Sequence, residues 1–405
     1  MKNLCTQYIN TFKGLSREVW WLSLITLINR AGTMVIPFLS LYLTKNLSFS
    51  LSDVAWIMSF FGLGSVVGTW IGGKLTDKIG YYKVMLASLM GTGILFVCLQ
   101  FAATFYQFCI GIFSVMLVAD AFRPAMFVAL SAYSKSENKT RSVTLIRLAI
   151  NLGFSLGPAV GGLIIVSIGY QGLFWVDGVT CLLAAVLLLN VLHPKKAKTL
   201  DEVKVENPVS VYKDKAFWVF FVAMFIFGFV FLQYFSTMPL YYKDVRFLSE
   251  FQIGLLMGSS GLFIFVFEMP LIQWLDKPKN SKVLLIALGL FLLAMSYLVL
   301  NLSAWAGILL VGIFLMSVGE MIAFPFSNSF AVARAKKGNQ GEYMALYSIS
   351  FSLAHIFSHN LGLQMVAKYG FEFTWNSMIV FALVGVFILL ILLRVLKKEQ
   401  RNQSK

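Results

Sequence analysis

The chain has 405 residues, of which 59% are hydrophobic and only 13% are charged. Soluble globular domains carry about a quarter charged residues, so this composition excludes a soluble core. The net charge of +15 at pH 7 leaves two interpretations, a nucleic-acid-binding surface or a membrane-topology signal. The four cysteines have neither CxxC nor metal-ligand spacing, so we expect no disulfide, metal or cofactor: Cys5, Cys98, Cys109 and Cys181.

Twelve apolar blocks follow one another along the chain, and a membrane-spanning helix needs about 20 such residues. The predicted spans are Trp20–Leu43, Val54–Gly73, Val84–Ala103, Phe105–Tyr133, Ser142–Ile168, Gly172–Leu192, Phe217–Tyr242, Ile253–Leu275, Val283–Leu302, Ala304–Val332, Tyr343–Val366 and Thr374–Val395. The polar stretch 193–215 predicts a cytoplasmic linker between an N-terminal six-helix bundle (1–192) and a C-terminal six-helix bundle with a short basic tail (216–405). The sequence therefore predicts an all-α membrane protein of 12 transmembrane helices, which we expect to be a monomer in the lipid bilayer.

The basic residues are distributed unevenly across this topology. If both termini lie inside, few of the 33 Lys and Arg fall on the outer side or within spans, namely Lys45, Lys243, Arg246 and Lys368 outside and Arg30, Arg123 and Arg147 within. An excess of Lys and Arg on cytoplasmic loops sets the orientation of membrane proteins. We therefore expect a bacterial cytoplasmic (inner) membrane protein with both termini in the cytoplasm and no nucleic-acid partner.

The two predicted bundles repeat several landmarks in the same order. Pro37 near the end of the first span corresponds to Pro239 in the seventh. Asp120 and Glu320 occupy matching places in the fourth and tenth spans, as the pair Trp175 and Trp375 does in the sixth and twelfth. A parallel six-helix repeat is typical of transporters in which two halves rock about a central site, although chance similarity between apolar helices remains the alternative.

Two segments carry more specific patterns. The first follows the second span and reads Gly73-Lys-Leu-Thr-Asp77-Lys78-Ile-Gly80-Tyr-Tyr-Lys83. The second lies in the fifth span and reads Gly153-Phe-Ser-Leu-Gly157-Pro158-Ala-Val-Gly161-Gly162. They resemble the loop motif GxxxD(R/K)xG(R/K)(R/K) and the antiporter motif GxxxGPxxGG of the major facilitator superfamily. The antiporter motif matches at every defined position, whereas two tyrosines replace the basic pair of the loop motif.

The resemblance covers the whole chain and implies a 12-helix drug:proton antiporter fold. We expect Asp77 to start a cytoplasmic turn, where it can cap a helix N-terminus or pair with a cation. The resemblance implies that Asp77 belongs to a charge-and-dipole latch on the cytoplasmic side; the alternative is a solvated turn without a gating role. In the antiporter motif, the glycines allow close helix packing, and Pro158 removes one helix hydrogen bond and bends the span. Helix packing alone is the alternative there.

Ionisable residues inside a membrane are costly, at about 2.5–3.5 kcal/mol or more at the bilayer centre, so each is a functional candidate. We predict Glu320 as the main proton carrier, His355 as its relay and Asp120 as a further coupling group or counter-ion. We predict a substrate or gating role for a second set: Arg30, Asn29, Arg123, Arg147, Gln233 and Glu268. The alternative is a static network, in which Asp120 and Arg123 pair at i, i+3 and Glu320 bonds neighbouring backbone. Asp177, near the outer end of its span, is expected to cap a helix.

Three features bear on the solute. The first span carries Arg30 and no acid, unlike many multidrug members that the chain resembles, so anionic or zwitterionic solutes such as organic acids or short peptides enter consideration. The Phe-rich run 217–235 suits amphipathic drugs, but we expect most of its rings to face lipid. We predict proton-coupled export of small amphipathic solutes or drugs, with proton-coupled uptake of an anionic or zwitterionic solute as the alternative.

Other classes of protein have less support in the sequence. A membrane-embedded enzyme would need a catalytic constellation, and the chain has no HExxH or GxSxG pattern. His355 and His359 are four residues apart on one helix face, which leaves a metal site as a remote alternative. A sensor or scaffold lacks appended domains to support it, and without a Walker A pattern ATP is not expected as the energy source.

Overall fold

The computed structural model describes residues 14–135, 138–194, 210–277, 280–302, 305–335 and 340–403. Within them the chain folds into helices without strands: Arg17–Ala31, Val35–Leu41, Leu51–Ile79, Tyr81–Leu99, Phe105–Asp120, Phe122–Tyr133, Lys139–Ile168, Gln171–Val191, Lys215–Phe231, Gln233–Ser236, Met238–Asp244, Glu250–Leu275, Lys282–Leu302, Ile308–Ala335 and Gln340–Gln403, with a π-helix at Tyr42–Asn46 and a 3-10 turn at Val211–Lys213. Most of the predicted linker, residues 195–209, lies outside the described residues.

The helices confirm the predicted all-α membrane fold. Among the described residues, eleven helical stretches are long and apolar enough to cross a membrane, and the last of them runs from Glu342 to Glu399. Gly370 interrupts that stretch with φ 80 and ψ 177, values at which an L side chain is strained and helical hydrogen bonding stops. The stretch is therefore two helices, the eleventh and twelfth spans, and the number of spans agrees with the prediction.

Three of the spans in the described part of the chain are broken, and each break precedes a proline. The first span breaks at 32–34, ahead of Pro37. The fourth breaks at Ala121, ahead of Pro124, and the seventh breaks at Leu232 and Thr237, ahead of Pro239. Proline lacks the N–H that would bond to the carbonyl four residues earlier, and its ring clashes with that carbonyl. Proline accounts for these three breaks, whereas Pro158, Pro270 and Pro325 lie inside continuous helices.

The described helices group into two compact units. One unit contains Met1–Tyr42, Phe60–Asp201 and Ser249–Leu262, and the other contains Leu43–Ser59, Glu202–Leu248 and Phe263–Lys405. In the first unit the first span packs on the fifth and sixth, and the third packs on the fourth and sixth. In the second unit the ninth span packs on the tenth, and the seventh packs on the final helical stretch. The predicted division into two six-helix bundles stays a prediction.

Small residues bring the second and fourth spans into backbone contact. A methyl group added at Gly68 would lie 2.8 Å from the Leu117 carbonyl carbon, and one added at Gly72 would lie 2.5 Å from the Ala121 Cα. Transmembrane helices associate through such close backbone approach because lipid supplies no hydrophobic driving force between them. This contact holds the fourth span, which carries Asp120 and Arg123, against the second.

The expectation that the phenylalanines of 217–235 face lipid is wrong. Five of the eight rings are at most 7% exposed, and the remaining three are partly buried: Phe217, Phe220, Phe227, Phe229 and Phe231 against Phe221, Phe225 and Phe235. The seventh span is packed against other helices of its unit, so these rings meet other aromatic rings instead of lipid. Phe227 and Phe231, for example, lie 5.0 and 5.2 Å from the Phe324 ring centroid.

A buried ion-pair network closes the predicted cytoplasmic end of the second unit. Arg334 forms two hydrogen bonds with Asp214 (2.7 and 2.6 Å) and two with Glu399 (2.7 and 2.9 Å), and Tyr343 donates to Asp214 at 2.9 Å. Burial raises the pKa of Asp214, but the hydrogen bonds and charge of Arg334 outweigh that effect and hold it below 3.8. Asp214 also caps the seventh span by accepting from the Phe217 N–H at 3.1 Å. The network ties the ends of four helical segments together.

Candidate functional site

The break in the first span is held by a buried carboxylate from the sixth span. Asp177 is fully buried, and its two oxygens accept hydrogen bonds from the Met34 N–H at 2.9 Å and the Val35 N–H at 2.8 Å. Those N–H groups begin the second half of the broken span, where they have no partner within the helix. Asp177 caps a helix, as expected, but the helix it caps is the interior break of another span.

Arg30 lies just before this break. The first span begins at Arg17, so Arg30 is about 20 Å along the helix at 1.5 Å per residue. Its Nε is buried without a hydrogen-bond partner in the described part of the chain, and its guanidinium lies 5.7 Å from the Phe154 ring centroid. A buried polar group without a partner costs about 1–3 kcal/mol. Arg30 therefore has an unused donor at membrane depth.

The other predicted polar residues of this unit surround Arg30 at different distances. Asp120 and Arg123 are close enough to act on the charge of Arg30. Asp120 is 9% exposed and accepts a hydrogen bond from the Ser65 hydroxyl. The alternative of a local Asp120–Arg123 pair is not what the structure shows, because the partner of Asp120 is on the second span and the Arg123 side chain is exposed.

Asn29 and Arg147 complete the predicted set in this unit. The Asn29 side chain donates to the Cys181 sulfur at 3.6 Å, which links the first span to the sixth. Arg147 is partly buried on the fifth span, about two turns from its inner end. Their predicted roles in substrate binding or gating remain predictions.

The antiporter motif presents two glycine faces. On one face, a methyl group added at Gly153 would lie 2.5 Å from the Arg30 Cβ, and one added at Gly161 would lie 3.2 Å from the Met34 Cβ. Gly157 lies between them, against the Ala31 carbonyl. These three glycines therefore form a groove along the broken part of the first span, and they position the backbone of Arg30.

The second face of the motif packs on the outer half of the eighth span. A methyl group at Gly162 would lie 2.6 Å from the Glu250 carbonyl oxygen, and one at Gly261 would lie 2.7 Å from the Ser155 Cα. The Ser155 hydroxyl donates to the Gly258 carbonyl at 2.6 Å. Pro158 lies on this face too, with its carbonyl against Gly254. The backbones of the fifth and eighth spans approach so closely that a side chain at Gly162 or Gly261 would push the two helices apart.

Glu320 lies in the middle of the tenth span, partly buried. One helical turn later the same face carries Phe324, which stacks on Phe351 with ring centroids 5.3 Å apart. Phe227 and Phe231 complete this aromatic cluster around Phe324. In the second unit, Glu320 therefore lies one helical turn from a cluster of aromatic rings.

The histidines and Gln233 lie on neighbouring helices of the second unit. His355 is partly buried and His359 is 2% exposed, and their ring centroids are 5.7 Å apart on the eleventh span. Gln233 is fully buried and donates to the Ser358 carbonyl and hydroxyl at 2.8 and 2.9 Å, while its own oxygen accepts from Thr237 at 2.9 Å. The Gln233 amide is thus used in holding two helices together.

Glu268 is 2% exposed near the inner end of the eighth span, two residues before Pro270. Within the described residues, no group of three or more His, Cys, Asp or Glu side chains is arranged to hold a metal ion.

The loop motif is more helical than predicted. The second span continues through Gly73, Asp77 and Lys78 to Ile79, so the expected turn at Asp77 is wrong. The turn is the single residue Gly80, whose φ of +89 is a conformation that glycine adopts readily. Asp77, Lys78 and Lys83 are exposed in this part of the structure.

Three contacts were not predicted from the sequence. Asp177 caps the break in the first span, and Ser65 and Ser155 form hydrogen bonds to residues of neighbouring spans. A carboxylate in an otherwise apolar span and a proline that breaks a neighbouring span were the available signals for Asp177. Nothing in a single sequence shows which helix lies beside which, so the partners of the two serines had no signal.

The comparisons with known proteins agree with this architecture. The sequence profile of the Major Facilitator Superfamily matches residues 22–359 and 248–405. A Na(+), Li(+), K(+)/H(+) antiporter of Planococcus maritimus is 20% identical over 396 residues, covering 90% of this chain and 92% of that protein. Quinolone resistance protein NorA of Staphylococcus aureus is 26% identical over 250 residues, covering 58% of this chain and 61% of that protein.

Solved structures share the fold. A POT family transporter in complex with 5-aminolevulinic acid superposes with a TM-score of 0.78 at 15% identity, covering 94% of this chain and 96% of that one. The nucleoside transporter NupG superposes with a TM-score of 0.74 at 15% identity, covering 93% and 99%. The family match and the described membrane-spanning helices lead to one conclusion: this chain is a multi-pass membrane transporter that belongs to the Major Facilitator Superfamily.

Proposed function

We propose that the protein exports small amphipathic solutes in exchange for protons by alternating access, with Glu320 as the proton carrier. The observation that carries the proposal is the position of Glu320, a carboxylate partly buried at mid-span and one turn from the Phe324 cluster. A carboxyl group at this depth can be neutral or charged, and aromatic rings beside it suit the apolar part of a solute. Proton and solute would therefore compete for one region.

The antiporter motif and the relatives support exchange over other forms of coupling. The motif glycines bring the backbone of the fifth span into direct contact with the first and eighth spans. Such close helix packing can exclude solute and water between helices that move during transport. One relative is a cation/proton antiporter, and another is a quinolone resistance protein. His355 would relay protons, and Asp120 would be the second coupling group.

Uptake of an anionic or zwitterionic solute is the second candidate, and Arg30 favours it. The unused Nε of Arg30 is a cationic donor inside the first unit, which suits an anion better than a lipophilic cation. Direction is the difference between the candidates: an exporter protects a host that lacks its own pumps, whereas an importer sensitises the host or supports growth on the solute. In both cases we place the protein in the bacterial cytoplasmic membrane, with both termini inside, as a monomer.

Proton flux in inside-out vesicles tests the proposal. A pH-gradient dye reports whether lipophilic cations, neutral drugs, organic acids or dipeptides dissipate an imposed gradient. We expect one class to do so with the wild type and to lose at least tenfold of that rate with Glu320→Gln. Glu372→Gln, an exposed glutamate near the start of the twelfth span, is the matched control and should keep the wild-type rate. An unchanged flux in Glu320→Gln would rule out Glu320 as the carrier.

A further inference from the structure

We infer that Arg30 binds a carboxylate group of the transported solute and that Phe154 contacts the apolar part of the same molecule. The substrate class is therefore amphipathic carboxylates, which include zwitterions. This inference rests on the proposed transport function and specifies which solutes the first unit accepts.

The backbone of Arg30 is fixed from three directions. Asp177 anchors the N–H groups of Met34 and Val35 just beyond the break. The Thr33 hydroxyl donates to the Arg30 carbonyl at 2.5 Å, and Gly153 lies directly against the Arg30 Cβ. A side chain that starts from a fixed backbone loses less freedom when it binds, so the guanidinium is prepared for a ligand.

The two carboxylates of this unit at membrane depth are already engaged. Asp177 accepts from two backbone N–H groups, and Asp120 accepts from the Ser65 hydroxyl. Within the described residues, no ion pair joins either carboxylate to Arg30. Arg123 adds a second cation close enough to act on Arg30. Arg30 therefore has no salt-bridge partner among these carboxylates, and its positive charge, with that of Arg123 nearby, suits an anion better than a cation.

The shape of the donor selects the kind of anion. Arginine presents its Nε–H and a neighbouring N–H in one plane, and this fork matches the two oxygens of a carboxylate. The Nε of Arg30 is buried and lacks a hydrogen-bond partner in the described chain, so this donor of the fork is not used within the protein.

The neighbouring ring accounts for the apolar part of the solute. The Phe154 side chain is 43% exposed, so part of its ring is not covered by other described residues, and the guanidinium lies 5.7 Å from its ring centroid. A charged group and an exposed aromatic ring at this separation suit a molecule with a carboxylate next to an apolar body.

Binding of paired fluorescent probes to purified protein tests the inference. Dansyl-glycine carries an apolar ring system and a carboxylate, and dansyl-glycinamide differs only in the neutral amide. We expect the wild type to bind the acid at least tenfold more tightly than the amide. Arg30→Gln should abolish this preference, and Arg30→Lys should retain part of it because the charge remains while the planar fork is lost.

Arg141→Gln is the matched control, since Arg141 is an exposed arginine at the inner end of the fifth span, and it should keep the full preference. A melting curve of each variant establishes that it is folded. Equal affinity for acid and amide in the wild type, no saturable binding of the acid, or an unchanged preference in Arg30→Gln would each overturn the inference.

The same outcomes separate this inference from the proposed function. If neutral or cationic solutes drive a Glu320-dependent proton flux while the acid preference is missing, the proton-exchange proposal stands and the Arg30 assignment falls. If the acid binds through Arg30 but no solute moves protons, the Arg30 assignment stands and proton exchange falls.

Discussion

The first and seventh spans are broken at corresponding places, ahead of Pro37 and Pro239, but the breaks are held by different chemistry. In the first span a buried carboxylate, Asp177, caps the break, and Arg30 stands beside it. In the seventh span a neutral amide, Gln233, joins the break to Ser358, and aromatic rings fill the surroundings.

The different chemistry at the two breaks shows how similar breaks in two spans can have separate roles. A proline favours a break but does not always produce one, since Pro158, Pro270 and Pro325 lie inside continuous helices. Where a span does break, the groups freed at the break decide what it can do. Charge at membrane depth is expensive, so the arginine kept beside this break, Arg30, is better explained by function than by stability. The neutral, fully bonded break at Gln233 needs no function beyond holding two helices together.

Removing the cap of the first break should have the largest effect on stability. Asp177→Ala leaves the Met34 and Val35 N–H groups buried without partners, which we expect to cost about 4 kcal/mol and to abolish transport. Thermal unfolding in detergent together with vesicle transport measures both effects. Asp177→Asn, which keeps one acceptor, should be intermediate. Wild-type stability in Asp177→Ala would contradict the capping role.

The second unit also contains buried charge, in the Asp214–Arg334 pair at the inner end of the seventh span. A variant of this pair therefore tests how much buried charge stabilises that unit. Asp214→Asn removes the charge that Arg334 binds and should cost about 3 kcal/mol. Since the folded state holds the pKa of Asp214 below 3.8, this stability is present above about pH 4 and is lost as the pH falls through the lowered pKa. Melting temperatures at pH 3 to 7 should therefore fall more steeply below pH 4 in the wild type than in Asp214→Asn. Parallel curves would argue against this contribution.

Alanine substitutions at two glycines test whether the close packing of the antiporter motif matters for stability and transport. Gly162→Ala places a methyl group 2.6 Å from the Glu250 carbonyl oxygen, and we expect a loss of about 2 kcal/mol and slower transport, since overpacking shifts backbone. Gly73→Ala is the control: nothing lies within 4 Å of the added methyl group, so helix propensity should make it neutral or slightly stabilising. Equal behaviour of the two variants would show that the motif contact is unimportant.

The smallest effect is expected at the seventh-span break. Gln233→Leu removes neutral hydrogen bonds to Ser358, each worth about 1 kcal/mol, while keeping much of the side-chain volume. Transport should persist with a modest drop in melting temperature. Loss of transport at full stability would instead support the predicted substrate role of Gln233 and weaken the contrast between the two breaks.

The sequence was sufficient for the spans and their number, because length and apolar composition act locally. It did not predict the breaks in the first, fourth and seventh spans, and the one bend it predicted, at Pro158, lies inside a continuous helix. It misplaced the Phe217–Phe231 rings, since the hydropathy of a phenylalanine is the same against lipid and against another ring. It also placed a turn at Asp77, although the helix continues to Gly80. The partners of Asp177, Asp120 and Ser155 depend on which helices are neighbours, and that information is not contained in local pattern.

Proton release on solute binding tests the central claim most directly. Purified protein in weakly buffered detergent at pH 7 is mixed with the solute that dissipates the gradient in vesicles, and a pH dye records protons in solution. We expect the wild type to release protons as the solute binds and Glu320→Gln to bind the solute without that release. Equal release by both proteins would contradict exchange at Glu320.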